Sequence, residues 1–142
     1  MSTLYEEDFY TWAQSQAHAL RYHQVEMLDW EHLAEEVEGL GNEQEHAIER
    51  HFVILFAHLL KWRHQPERRG RSWITSIVLA RQEIERRIRR NPGVVPKLDG
   101  LALSAYQDSR VLASAETGLP LEVFPVPAPW FWQEALTLNL EA

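Results

Sequence analysis

The chain has 142 residues, 45% of them hydrophobic and 25% charged, with six Trp, five Phe and four Tyr. That length suits one domain burying roughly two thirds of its unfolded surface, and the aromatic content excludes a disordered chain. The lack of cysteine excludes disulfides, thiolate catalysis and Cys-ligated zinc or iron–sulfur centres, and the net charge of −7 opposes phosphate binding by the molecule as a whole.

No alternating run is bounded by hairpin turns, so no strand is predicted. The first helix is predicted over about Tyr5–His23. Thr3 and Glu6 have capping-box spacing, and Tyr5, Phe9, Trp12, Ala13 and Leu20 share one stripe. A second helix starts after Asp29, a residue suited to an N-cap. Trp30, Leu33, Val37 and Leu40 form its narrow apolar seam. Gly39 and Gly41 weaken it, and Asn42 with Glu45 has the spacing to cap a new start. The pattern fits either two helices or one long kinked helix over 30–64.

The third helix, about Glu43–His64, carries Ile48, Phe52, Leu55, Leu59 and Trp62 on one stripe. Between 52 and 62 its other faces are apolar too, so it is the predicted centre of the fold. Pro66 and Gly70 end it. Ser72 is the predicted cap of a fourth helix running to about Arg90, with Ile74, Ile77, Val78, Ile84 and Ile88 inward. A fifth helix, about Lys97–Thr117, turns Leu101, Ala102, Ala105, Ser109, Leu112 and Ala113 inward and stops at Gly118. The proline-rich stretch 125–129 is predicted to be extended. Pro129 starts a short last helix through about Leu138. The expected architecture is a single all-α domain over 1–142, a bundle of five to six helices around the central apolar helix at about 43–64.

Charge is segregated along the chain. Residues 1–60 carry twelve acids and two Arg, residues 61–98 eleven Lys or Arg and three Glu, and residues 99–142 six acids and one Arg. This reads more simply as a basic element packed between acidic ones than as a nucleic-acid site. The N-terminus has neither a basic n-region nor an apolar h-region, and the longest near-apolar run, Phe52–Leu60, is half a membrane span. The expectation is a soluble, cytoplasmic protein with no membrane partner.

Several segments carry a family resemblance jointly: LYEEDFYTWAQ at 4–14, LDWEHLAEEVEGLG at 28–41, HLLKW at 58–62, RSWITSI at 71–77, the Arg81–Ile84 region and AYQDSRVLASAETGL at 105–119. They resemble a family known mainly from cyanobacteria and catalogued as domain of unknown function 29. The match covers nearly the whole chain, in order. It implies an all-α, compact, cytoplasmic protein and supplies no activity, substrate, cofactor or catalytic residue. The ending PVPAPWFWQEAL follows the family's proline-then-helix pattern only loosely.

Four groups of residues are candidates for chemistry, the first a buried polar cluster of Glu35, Glu36, His58, Arg81 and Glu116. His58, in the most apolar helix, is either a ligand or base in a pocket or a neutral histidine bonded to a carboxylate or carbonyl; burial favours the neutral form. Arg81, on the inner stripe of the fourth helix, requires a partner, because an unpaired buried charge is very costly. Glu35, Glu36 and Glu116 are the candidate carboxylates, in a structural ion pair or an anion pocket. Glu43 and His46 form one Glu-x-x-His fragment where a di-iron site needs two, so no metal or other cofactor is expected. Arg86, Arg87, Arg89 and Arg90 make a basic surface, moderated by Glu83 and Glu85 at i,i+4 spacing. Trp130, Phe131 and Trp132 cannot all be buried by one helix face and make a candidate aromatic surface. No nucleophile elbow, P-loop or dinucleotide fingerprint occurs. The expected function is a non-enzymatic helical interaction module for a protein partner or for self-association. The alternatives are a nucleic-acid-associated protein using the helix 81–90, then an enzyme or anion pocket at His58, Arg81 and Glu36.

Overall fold

The computed structural model describes residues 3–141, and no strand occurs among them. Six α-helices lie in the described chain: α1 (Leu4–Glu7), α2 (Phe9–Arg21), α3 (Trp30–His64), α4 (Arg71–Arg90), α5 (Leu98–Thr117) and α6 (Trp132–Ala135). By packing, the chain falls into two compact units, Met1–Glu43 and Gln44–Ala142.

The first unit holds α1, α2 and the start of α3. The helix predicted over Tyr5–His23 is interrupted at Asp8. The Asp8 carboxylate accepts the Thr11 backbone N–H at 3.0 Å and the Thr11 hydroxyl at 2.6 Å, so it caps α2 after the single turn of α1. At the far end of α2, His23 sits in the left-handed region (φ 57°). The His23 N–H reaches the Leu20 carbonyl at 3.3 Å and the Gln24 N–H reaches that of Ala19 at 2.8 Å, the bond pair of a Schellman ending. Asp29 then starts α3, its carboxylate accepting the His32 N–H at 3.4 Å. The fresh start at Asn42 does not occur: α3 is one helix of 35 residues, passing through Gly39 and Gly41. Neither glycine has a positive φ, and a Cβ on either would meet nothing within 4 Å. Of the described residues in this unit, only Trp12, Gln16 and Ala19 are buried.

The second unit is a helical bundle built on residues 44–64 of α3. Ile48, Phe52, Leu55, Phe56, Leu59 and Leu60 are buried there on one broad side of the helix, while Ile54 on the opposite side is exposed, so the helix is not covered all round as its sequence suggested. They meet Ile77, Ala80 and Ile84 of α4 and Leu98, Ala102, Ala105 and Tyr106 of α5 in one core cluster. Each large side chain so buried contributes about 1.5–3 kcal/mol. The cap of α4 is Gly70, in extended conformation, one residue before the helix and two before the predicted Ser72. The end of α5 is as predicted: Gly118 has φ 77° and its N–H reaches the Ser114 carbonyl at 2.9 Å. The last helix is shorter than its predicted Pro129–Leu138 range, because Phe131 in extended conformation precedes α6 and Leu136 follows it as cap. The Val126–Pro127 peptide bond is cis. No helix among the described residues is long and apolar enough to cross a membrane.

Candidate functional site

In the first unit, side chains of α1, α2 and α3 form one polar and aromatic network. His32 Nδ1 lies 2.7 Å from Asp29 Oδ2, and the same oxygen accepts the Trp12 indole N–H at 3.0 Å. Gln16 accepts the Asp29 N–H at 2.7 Å and donates to the Met27 carbonyl at 3.2 Å. Tyr5 stacks on the His32 ring, with centroids 3.9 Å apart, and donates its hydroxyl to Glu36. These contacts tune each other. The hydrogen bond to Asp29 raises the His32 pKa, the bonds from His32 and Trp12 lower that of Asp29, and the Glu36 carboxylate holds the Tyr5 phenol up at about 12. His32 and Glu36, one turn apart on α3, meet Asp29 and Tyr5 respectively and do not pair with each other.

Beside this network the two predicted apolar stripes do not close on a core. They line an open groove of about 310 Å³, with Phe9, Leu20 and Leu33 among its walls and Trp12, Gln16 and Glu36 of the network at its side. Val37 and Leu40, which also line it, are 67% and 70% exposed. Trp30, predicted on the same seam, is exposed as well. Residues 1–43 carry ten acids against a single Arg21. Glu31, Glu35 and Glu38 are exposed along the same stretch of α3. The first unit thus offers an apolar groove on a strongly acidic hairpin.

The candidate polar cluster is distributed over separate partners. His58 Nδ1 bonds the Ile54 carbonyl at 2.8 Å one turn earlier, and burial lowers its pKa. Glu116 accepts the buried Lys61 ammonium at 2.7 Å, and that ammonium also lies 5.5 Å from the Trp73 ring centroid. Glu36 holds Tyr5, and Glu35 is exposed. Arg81 takes carbonyls in place of a carboxylate, donating to Ala135 at 3.0 Å and Leu138 at 2.8 Å. It is one of five such anchors. Trp62 donates to the Leu140 carbonyl, Tyr106 to Pro125, Arg110 to Phe124 and Leu121, and Ser114 to Leu119. Side chains of α3, α4 and α5 therefore strap the irregular C-terminal segment down by its backbone. Glu43 and His46 are both exposed, and no three His, Asp or Glu side chains among the described residues converge as a metal site.

On α4, Glu83 binds both Arg86 (2.6 Å) and Arg87 (2.7 Å), while Arg89 and Arg90 are exposed. Arg87 also reaches Gln44 at 3.0 Å. Above the arginines, Ile74, Val78 and Leu79 are exposed. An open groove of about 810 Å³ has Ile54 and Leu79 on its apolar side and Arg86 and Arg89 on its polar side. The three consecutive aromatics divide their tasks. Trp132 donates to Asp99 at 2.7 Å and packs edge-on to Phe52, Trp130 packs against the core, and Phe131 is 76% exposed. All three line a second groove, of about 710 Å³, with Phe56, Leu103 and Tyr106.

Neither the curated proteins nor the solved structures contain a match to the chain. A family model does match, over residues 4–140. Tyr5, Trp12, Asp29, His32 and Glu36 of the N-terminal network and all five C-terminal anchors fall within the segments that carry the resemblance. The chain belongs to the family described as Domain of unknown function DUF29.

Proposed function

We propose that the protein is a non-enzymatic interaction module that receives a basic amphipathic helix in the groove of its first unit. The single observation that carries this reading is the exposed apolar seam of α2 and α3 on a hairpin with nine more negative than positive charges. An amphipathic helix that leaves its stripe in water lacks the contact that normally stabilises it. Docking a helix along i, i+3, i+4 and i+7 anchors supplies that contact. Charge complementarity selects a cationic partner over an anionic one and speeds its approach.

The test uses a fluorescent helical peptide of about 18 residues built from Leu and Lys, with a Leu/Glu counterpart as control. Anisotropy is expected to show binding of the basic peptide only, weakened about tenfold or more by Leu40→Glu, whose side chain is exposed in the free protein. Equal binding of the acidic peptide, or a basic-peptide affinity untouched by Leu40→Glu, overturns the reading.

The nucleic-acid alternative rests on Arg86, Arg87, Arg89 and Arg90. Two of these are already paired with Glu83, which leaves it the weaker reading.

A further inference from the structure

We infer that the partner received by the first unit is a second copy of this chain, which presents the exposed face of its own α4. The inference rests on the docking function proposed above. The molecule carries both surfaces. One is the acidic groove with Val37 and Leu40 exposed along it. The other is α4, an amphipathic helix with six Arg and two Glu, whose outward side shows Ile74, Val78 and Leu79. Leu79 is 58% exposed, lies one residue round the helix from Val78, and also lines the groove with Ile54.

The charges decide which surfaces pair. Glu83 is taken up by Arg86 and Arg87, so the α4 charges left for a partner are Arg71, Arg89 and Arg90 against Glu85. Groove against groove would bring two hairpins of net −9 together, and α4 against α4 would oppose two cationic helices. Only the unlike pairing matches apolar surface to apolar surface and negative to positive. The contact is therefore heterologous: each copy offers one surface of each kind. Association grows head to tail unless the rotation closes a ring.

Sedimentation of the full chain tests this. The wild type is expected to associate with rising concentration, and about tenfold more weakly at high than at low salt. Leu40→Glu spoils the groove and Leu79→Glu spoils α4. Each variant alone is expected to stay monomeric, while an equimolar mixture forms a heterodimer that grows no further. Both positions are exposed, so both variants keep the wild-type helical circular dichroism. Arg89→Glu repeats the Leu79→Glu result by charge alone. A wild type monomeric at every concentration overturns the inference, as does a Leu79→Glu variant that still self-associates or a mixture without heterodimer. A monomeric wild type that still binds the Leu/Lys peptide sinks the second copy as partner and leaves the docking function standing.

Discussion

Asp29 holds three donors at once: the His32 backbone N–H at the start of α3, the His32 ring and the Trp12 indole. Its pKa is lowered and that of His32 is raised, so the two act on opposite sides of a pH window. The His32 contribution is full below the ordinary histidine value of about 6.5 and is lost as pH rises through the higher folded-state value. The Asp29 contribution is full above the ordinary carboxylate value and is lost as pH falls through the lower one. The network is firmest between them. His58 goes the other way, because burial disfavours its cation. One NMR titration of the histidines therefore separates the two: His32 is expected above the ordinary value and His58 below it, and Asp29→Asn returns His32 downward. A His32 that titrates no higher than an exposed histidine contradicts the assigned ion pair. Of these partners, only Asp29 was legible from sequence, as a cap. Stacking and side-chain bonds across 17 to 31 residues leave no periodic trace.

At the scale of the element, α3 carries an unneeded cost. Gly39 and Gly41 sit within its helical run, have no positive φ and touch nothing that a methyl would meet. Gly39→Ala and Gly41→Ala are each expected to stabilise the protein by about 1 kcal/mol in urea titration, the difference in helix propensity. A loss of stability in either variant would show that the backbone there needs glycine after all. The helices themselves were readable, since stripes of period 3.6 marked α4 and α5 and Gly118 marked the end of α5. The end predicted at about His23 lies close to the observed one, but the break at Asp8 was not legible, because it is neither a glycine nor a proline and depends on local bonds. The seams Phe9–Leu20 and Trp30–Leu40 were read as the apolar stripes of helices belonging to one bundle. Periodicity identifies which face is apolar and says nothing about whether a neighbour covers it.

At the scale of the molecule, the two units differ in how much they bury. The first has three buried residues in its described part; the second holds the cluster around Phe52, Phe56 and Leu59. Local opening costs least where few apolar contacts are lost. Hydrogen exchange is expected to label α2 and residues 30–40 well before residues 52–60 of α3; uniform protection along α3 would refute the difference. The boundary after Glu43 falls beside Gly39, Gly41 and Asn42, which were read as a possible break in the helix; the break is in the packing, since one helix runs through it. Arg81 shows a similar blind spot. Its need for a partner was legible, but carboxylates have letters in a sequence and carbonyls do not. That choice of partner has a further consequence. Arg81, Arg110, Tyr106, Trp62 and Ser114 grip the C-terminal segment by peptide oxygens that every amino acid carries. The grip is indifferent to which side chains the segment displays. Outward positions such as Val126, Phe131 and Asn139 are thus free to be rewritten while the segment stays attached, which makes the end of this chain a ready frame for presenting grafted peptides.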